Sequence, residues 1–102
     1  MDIQKMMKQA QEAQAKMVQL QEELAQQTVE SSAGGGLVKV VMTGAQEVVS
    51  VKIDPSAVDP DDVELLEDMI VAAINDASRS ATALMNDGMA EITGSMNLPG
   101  LN

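Results

Sequence analysis

The sequence predicts an α+β fold of order α-β-β-β-α, in which a small antiparallel sheet is flanked by a long N-terminal helix and a long C-terminal helix. Residues 38–43 and 48–53 are short runs rich in β-branched residues that alternate between two faces, as strands do. The flanking segments, residues 1–27 and 61–87, contain neither Gly nor Pro. Because a two-stranded sheet is marginal on its own, we expect helices to cover one of its faces.

The first element is a predicted helix over residues 1–27, which is rich in the helix formers Gln, Ala, Glu, Lys and Met. Its apolar residues recur at alternating spacings of three and four, which is typical of a coiled-coil seam. They are Ile3, Met6, Ala10, Ala13, Met17, Leu20 and Leu24. Two interpretations follow: the helix covers the core along its length, or its far end extends from the body as part of an arm between subunits.

The predicted sheet spans residues 28–53. Thr28–Ala33 is a candidate for a short edge strand, although only one of its residues favours strands strongly. The glycines at 34–36 indicate a flexible turn, because the G-x-x-x-x-G-K-[ST] pattern of a phosphate loop is absent from the sequence. Gly44-Ala45-Gln46 joins the two main runs as a hairpin, and we expect Gly44 to supply the unusual backbone angles that such a loop often needs.

The alternation divides the strands between an apolar face and a mixed face. The apolar face is predicted to carry Val38, Val40, Met42, Val49, Val51 and Ile53. The mixed face holds Lys39 and Lys52, together with Leu37, Val41 and Val48. Apolar residues on a face that no helix covers suggest a partner.

A second long helix is predicted over residues 59–93. Asp59-Pro60 is a strong start signal, because Asp caps helices and Pro suits the first helical position. Gly88 lies inside the predicted helix, where Gly costs roughly 1 kcal/mol relative to Ala. Gly94 is the predicted stop, and residues 94–102 are then expected to form a flexible tail.

The composition excludes most enzyme chemistry. The 102 residues include no Cys and no His, so the chain lacks a thiolate nucleophile, the usual general base and the commonest metal ligand. The acidic cluster at residues 59–62 lacks the D-x-D-x-D-G spacing of a calcium loop. We therefore expect a single domain that is not an enzyme, with no cofactor, no bound metal and no small-molecule substrate.

Hydropathy and aromatic content limit the partners. The sequence contains no Phe, Tyr or Trp, so it lacks the base-stacking platforms of single-strand binding proteins. Its apolar runs are far shorter than a membrane span, and no signal peptide opens it. We expect a cytoplasmic protein without a membrane partner.

The net charge of −10 is unevenly distributed along the sequence. Residues 1–53 hold five basic and six acidic groups, whereas residues 54–102 hold one basic group and ten acidic ones. The second half therefore repels polyanions. Any contact with a polyanion has to use the N-terminal helix or the mixed face of the sheet.

Several segments together resemble one protein family. They are Met6-Met7-Lys8-Gln9-Ala10, Gly35-Gly36-Leu37-Val38-Lys39-Val40, Thr43-Gly44, Val51-Lys52-Ile53-Asp54-Pro55-Ser56, residues 66–77 and Leu98-Pro99-Gly100. In this order they resemble the YbaB/EbfC family of bacterial nucleoid-associated proteins, over nearly the whole chain. The resemblance implies a homodimer with protruding helical arms that binds double-stranded DNA and alters its conformation, with little sequence specificity. It also implies localisation to the nucleoid.

The resemblance directs attention to the basic residues outside the acidic half. We predict DNA contacts at Lys5, Lys8 and Lys16, with Arg79 as a possible addition. Family members commonly carry several Lys and Arg residues in the second half of the last helix, but this sequence has Arg79 alone there. Because binding without base readout rests on neutralised phosphates, this departure weakens that helix as a DNA site.

The dimer interface is predicted at Leu37, Val41 and Val48 on the mixed face. Lys39 and Lys52 are weaker DNA candidates, because they share this face.

An alternative function is an acidic protein-binding adaptor on the same scaffold, with little affinity for DNA. The adaptor would engage a basic or hydrophobic partner through its acidic second helix and Met-rich grooves, and its binding would be sensitive to changes in Asp61, Asp62, Glu64 or Glu67.

Overall fold

The computed structural model describes the backbone of residues 2–96 and the side chains of residues 2–94. Its elements are helix α1 (Ile3–Gln26), strands β1 (Thr28–Ala33), β2 (Val38–Thr43) and β3 (Val48–Ile53), a short 3-10 helix (Pro55–Ala57) and helix α2 (Val63–Met96). The predicted order α-β-β-β-α is therefore confirmed, including the short strand at the start of the sheet. Residues 97–102, which include most of the predicted flexible tail, lie outside the described residues.

The strands form one antiparallel sheet of order β1-β2-β3, and α2 crosses β1 and β2. We call the face that α2 covers the inner face and the opposite one the outer face. The core between α2 and the inner face consists of Val38, Val40, Met42, Ala73, Ala77 and Ala81. The buried residues on its helix side are all Ala, which lets α2 lie close to the sheet, and larger residues of α2 such as Ile70 and Ile74 are only partly buried against it. Val38 and Val40 are the largest fully buried side chains of the described residues.

A β-bulge interrupts the pairing of β2 with β3. Val41 lies opposite Ser50, but Met42 lies opposite Val48, so that Val49 is the extra residue. Residues that lie directly opposite one another share a face of the sheet. Val48 therefore belongs with Met42 on the inner face, and its predicted place beside Val41 on the mixed face is wrong.

Gly44 has a different role from the predicted one. The positive φ of the β2–β3 turn is at Gln46, where φ is 67°, and Gly44 is not among the positive-φ residues. A Cβ on Gly44 would lie 2.9 Å from the carbonyl oxygen of Leu24. Gly44 is therefore required because α1 passes too close to its Cα for any side chain.

Gly88 of α2 likewise leaves room for a side chain of α1. A Cβ at this position would collide with the Cδ1 atom of Leu20. The cost of Gly in a helix interior is thus offset by a close contact between α1 and α2. Leu20 and Leu24 are the buried residues of α1, and their contacts with Gly88 and Gly44 show where α1 joins the body.

Helix α2 begins and ends later than predicted. The Asp59 carboxylate accepts a hydrogen bond from the Asp61 N–H at 2.9 Å, and its carbonyl accepts one from the Asp62 N–H at 2.9 Å. These bonds close a turn, and the Asp62 carboxylate then accepts from the Leu65 N–H at 3.3 Å and caps the helix. The same Asp-rich signal thus starts the helix at Val63, four residues after Asp59. The helix also continues through Gly94, the predicted stop.

The first half of α1 extends beyond the body. Ile3 is 68% exposed and Met6 53% exposed, although both belong to the apolar seam that buries Leu20 and Leu24. The long axis of the molecule is 69 Å and its radius of gyration 19.6 Å, against about 13 Å for a compact domain of this length. The second half of α1 therefore covers the body, and the first half projects from it, as the second interpretation predicted for the far end; a role between subunits stays a prediction. We call residues 3–12 the arm.

Candidate nucleic-acid interface

Three lysines form a stripe along α1. At about 100° per residue, Lys5, Lys8 and Lys16 fall within about 80° of the helix circumference. The stripe is centred about 120° around the helix from the apolar seam, so its centre points away from α2. Glu12 falls within the same arc and lowers the potential at its centre. The basic character of the stripe is therefore strongest at the tip of the arm.

The tip of the arm holds its lysines in solvent. Asp2 caps α1 by accepting hydrogen bonds from the N–H groups of Gln4 at 3.1 Å and Lys5 at 3.3 Å, which fixes the first turn. Lys5 and Lys8 are exposed and form no ion pair with any carboxylate of residues 2–94. Their charges are therefore available to an external anion.

Lys16 lies nearer the body than the other two lysines. It lines a cleft of about 310 Å³ between α1 and α2, together with Leu20, Gly88 and Ile92. It is exposed and has a polar interaction of its own within the chain. We therefore rank it below Lys5 and Lys8 as a contact for an external anion.

Arg79 is engaged within the chain and lies apart from the lysine stripe. Its guanidinium is 3.4 Å from the Asp76 carboxylate, one turn earlier on α2. The Ser31 hydroxyl of β1 also donates to Asp76, and this bond lowers the pKa of the carboxyl, with the charge of Arg79 as a smaller cause. Arg79 is also about 20 Å along α2 from Ile92, the residue beside Lys16. Its contact with Asp76 and its distance make it a weak addition to the arm.

The outer face of the sheet carries a second basic group. Lys39 of β2 lies directly opposite Lys52 of β3, and Ser32 of β1 lies opposite Lys39 on the other side. All three side chains are exposed. The alternation of residues in the sequence predicted that both lysines lie on one face, but only the register of the strands shows that they are direct neighbours.

The inner face of β3 remains uncovered. Val51 and Ile53 are 40% and 38% exposed, whereas Val40 and Val38, which lie opposite them, are fully buried. One helix is about 10 Å wide with its side chains, so a helix centred over β1 and β2 leaves the third strand bare.

A side of α2 completes this uncovered region. Gln46, in the turn before β3, donates to the Thr82 hydroxyl at 2.7 Å and to the Ser78 carbonyl at 3.3 Å. The side of α2 that bears Ser78 therefore faces β3, and Val71, two turns earlier on that side, is 57% exposed. We call the surface formed by Val48, Val51, Ile53 and Val71 the β3 groove.

The three residues predicted for the dimer interface do not share one face. Val41 is half-buried on the outer face opposite Ser50, and Leu37 is half-buried just before β2. Val48 is 47% exposed in the β3 groove. Sequence reasoning missed the groove because it assigned the whole apolar face of the sheet to the protein's own helix. Nothing in the alternation pattern shows how many strands one helix covers.

Two further searches of the described residues bear on other kinds of site. No group of three or more His, Cys, Asp or Glu side chains is arranged to hold a metal ion in this part of the chain. None of its helices is both long enough and apolar enough to cross a membrane.

Comparison with known proteins identifies the family of the chain. The sequence model of the YbaB/EbfC DNA-binding family matches residues 1–96. A nucleoid-associated protein of Pelotomaculum thermopropionicum is 54% identical over 97 residues, which cover 95% of this chain and 92% of that protein. A nucleoid-associated protein of Thermoanaerobacter pseudethanolicus is 52% identical over 100 residues, covering 98% of this chain and 90% of that protein.

A solved structure supports the fold. An uncharacterized protein from Helicobacter pylori superposes with a TM-score of 0.81 at 24% sequence identity, over 90% of this chain and 97% of that one. At this identity the likeness concerns the fold alone.

Proposed function

The chain belongs to the YbaB/EbfC DNA-binding family of bacterial nucleoid-associated proteins, and from this premise we propose that it binds double-stranded DNA as a homodimer and alters the conformation of the duplex. The contacts are electrostatic and lie on the arm. The observation that carries this proposal is the position of Lys5 and Lys8, exposed at the tip of a projecting helix and without an ion pair in residues 2–94. Under this proposal the protein is not an enzyme and needs no cofactor.

The charge distribution explains why the arm, and not the acidic half of the chain, approaches DNA. Ten of the sixteen acidic groups lie in residues 54–102, so this half repels the duplex. The arm carries the lysines away from these acids, and beyond about 10 Å the repulsion is largely screened at physiological salt. Phosphate contacts of this kind carry no base information, which agrees with binding of low sequence specificity.

The β3 groove is the proposed dimer interface. It is an uncovered apolar surface continuous with the core, whereas the centre of the outer face carries the adjacent charges of Lys39 and Lys52. Interface cores are depleted of charged residues, because burying an unpaired charge is costly. A dimer with its two-fold axis at the groove would bury Val51 and Ile53 and would carry two arms on one body. Two arms that hold one duplex at separate points would constrain its path.

Titration of a random-sequence duplex at several salt concentrations tests the arm. Replacing Lys5 and Lys8 by Gln should weaken binding and reduce the slope of log K against log salt by about 0.9 for each lost phosphate contact. The matched control is Asn75→Asp with Asn86→Asp, which changes the net charge equally at exposed positions of α2. Equal binding by Lys5→Gln/Lys8→Gln and by the control would contradict a site on the arm.

The acidic adaptor remains the alternative function, and the structure gives one of its residues, Asp62, another role. The carboxylates of Asp59 and Asp62 accept backbone hydrogen bonds at the start of α2, and Asp54 accepts from the N–H of Ser56 at 2.8 Å. These bonds account for part of the acidic cluster without a partner. Failure of the wild-type protein to bind a duplex at about 50 mM salt, where electrostatic contacts are strong, would favour the adaptor.

A further inference from the structure

The outer face of the sheet presents a polar row that crosses all three strands. Ser32, Lys39 and Lys52 lie side by side in register on β1, β2 and β3, and each is exposed. Directly opposite residues have their Cβ atoms about 5 Å apart, so the two ammonium groups reach the same small volume of solvent. This arrangement offers two positive charges and a hydroxyl donor to one anion.

The charges of this row are not neutralised within the described chain. Neither Lys39 nor Lys52 forms an ion pair with a carboxylate of residues 2–94. Glu30 shares the outer face, opposite Val41, but it is diagonal to Lys39 and makes no ion pair with it. Like charges directly opposite one another destabilise a sheet, so an external anion would relieve a repulsion built into this register.

The row is far from the arm. Gly34, two residues after Ser32 and just past the end of β1, lies beside Met69, and Leu20 lies beside Gly88, which places the two contacts about 28 Å apart along α2. Lys8 is about 18 Å farther out along α1. The total exceeds one turn of duplex DNA, which is about 34 Å. The row and the arm therefore cannot share neighbouring phosphates.

We propose that Ser32, Lys39 and Lys52 form a second phosphate-contact site, through which one molecule bridges two segments of duplex DNA. This inference rests on the proposed function of the arms. A duplex held between two arms crosses them and does not run back along the body, so the row is left open to a second segment. The β3 groove lies on the inner face, so a dimer formed there also leaves the row exposed.

A two-duplex capture assay tests the bridge. A biotinylated duplex of about 40 base pairs is fixed to beads, and a fluorescent duplex of the same length, about 136 Å at 3.4 Å per base pair, is supplied in solution with the protein. The wild-type dimer should bind the fixed duplex and retain the fluorescent one. Lys39→Gln with Lys52→Gln should still bind the fixed duplex but lose the fluorescent signal to the level of protein-free beads.

The controls separate this inference from the proposed function. Asn75→Asp with Asn86→Asp has the same net charge as the Lys39→Gln/Lys52→Gln variant and should capture the second duplex as the wild type does. Lys39→Arg with Lys52→Arg keeps both charges and should also capture it. Circular dichroism checks that each variant is folded.

Three results would overturn the bridge. The first is that the wild type binds the fixed duplex without capturing the second one. The second is that Lys39→Gln/Lys52→Gln captures as much of the second duplex as the charge-matched control does, which would show that the arms of one dimer bridge two duplexes by themselves. In these two cases the proposed function of the arm stands. If the wild type fails to bind the fixed duplex at all, the DNA-binding function itself is wrong and the bridge falls with it.

Discussion

Gly44 shows at the scale of one residue how α1 is attached to the body. Its Cα lies against the backbone of Leu24, and its N–H donates to the carbonyl of Gln27 at 2.9 Å. Backbone atoms cannot move aside as a flexible side chain can. The position therefore tolerates no Cβ, although the backbone angles of Gly44 do not themselves require glycine.

Gly44→Ala should lower the free energy of unfolding by about 1–3 kcal/mol, the usual cost of overpacking a closely packed site. Gly94→Ala is the matched control, because a Cβ at Gly94 meets no atom of the described chain within 4 Å and Gly94 lies inside α2. The control should gain up to about 1 kcal/mol from helix propensity. Urea denaturation measures the free energy of unfolding of both variants. An equal increase in Gly44→Ala and Gly94→Ala would show that α1 leaves room for a Cβ at Gly44.

Asp76 joins β1 to α2 through one hydroxyl. The Ser31 hydroxyl donates to its carboxylate and lowers the pKa below the ordinary value of 3.8. A carboxyl with a lowered pKa stabilises the fold above its unfolded pKa, and this contribution is lost as pH falls through the folded pKa. The bond therefore stabilises the fold at neutral pH, and this stabilisation is lost in acid.

Ser31→Ala should raise the pKa of Asp76 towards 3.8 and flatten the loss of thermal stability as the pH falls below about 4. Carboxyl titration by NMR measures the pKa directly. Arg79→Gln serves as the comparison, because Arg79 contributes less to the lowered pKa and the hydroxyl stays in place. A larger pKa change in Arg79→Gln than in Ser31→Ala would reverse this order of causes.

At the scale of elements, the β2–β3 pair combines a destabilising contact with an exposed edge. Lys39 and Lys52 repel one another across the two strands, and β3 has no neighbouring strand on its other side. The same pairing buries Val38 and Val40 on the inner face. The apolar pairs fix the register, and the lysines are brought together as a consequence.

Removing either lysine should stabilise the isolated protein slightly. Lys39→Gln and Lys52→Gln should each raise the free energy of unfolding by a few tenths of a kcal/mol at low salt, because each ends the same repulsion. The double variant should gain less than the sum of the two. Additive gains, or gains that persist at high salt, where exposed charges are screened, would show that the two lysines do not interact.

At the scale of the whole molecule, the arms and the β3 groove depend on one another. A single arm offers Lys5 and Lys8, whereas a dimer offers two such pairs at a fixed separation. Linking two weak contacts raises the effective concentration for the second contact once the first has formed. Loss of the dimer should therefore weaken DNA binding even when every lysine is intact.

Val51→Asp should shift the dimer towards monomer, because it places a charge in the centre of the proposed interface. Sedimentation velocity measures the oligomeric state, and duplex titration should show weaker binding. Val41→Asp on the outer face is the control and should remain dimeric. If Val41→Asp dissociates and Val51→Asp does not, the interface lies on the outer face, as the sequence predicted for Leu37 and Val41.

The sequence by itself determined the features that depend on neighbouring residues. The alternation of residues 38–43 and 48–53 predicted the strands, and the seam from Ile3 to Leu24 predicted α1, because these periods follow from the geometry of a single strand or helix. The sequence also showed that the lysines lie outside the acidic half, because the charges along a chain can be counted without a structure.

Only the tertiary structure decided how these elements meet. It showed that α2 leaves β3 bare, that a bulge moves Val48 to the inner face, and that Lys39 lies opposite Lys52. It also gave Gly44 and Gly88 their roles beside α1. Each of these depends on a distance between segments far apart in the chain. Such distances are set by packing, because the width of a helix and the register of a sheet are consequences of how whole elements fit together.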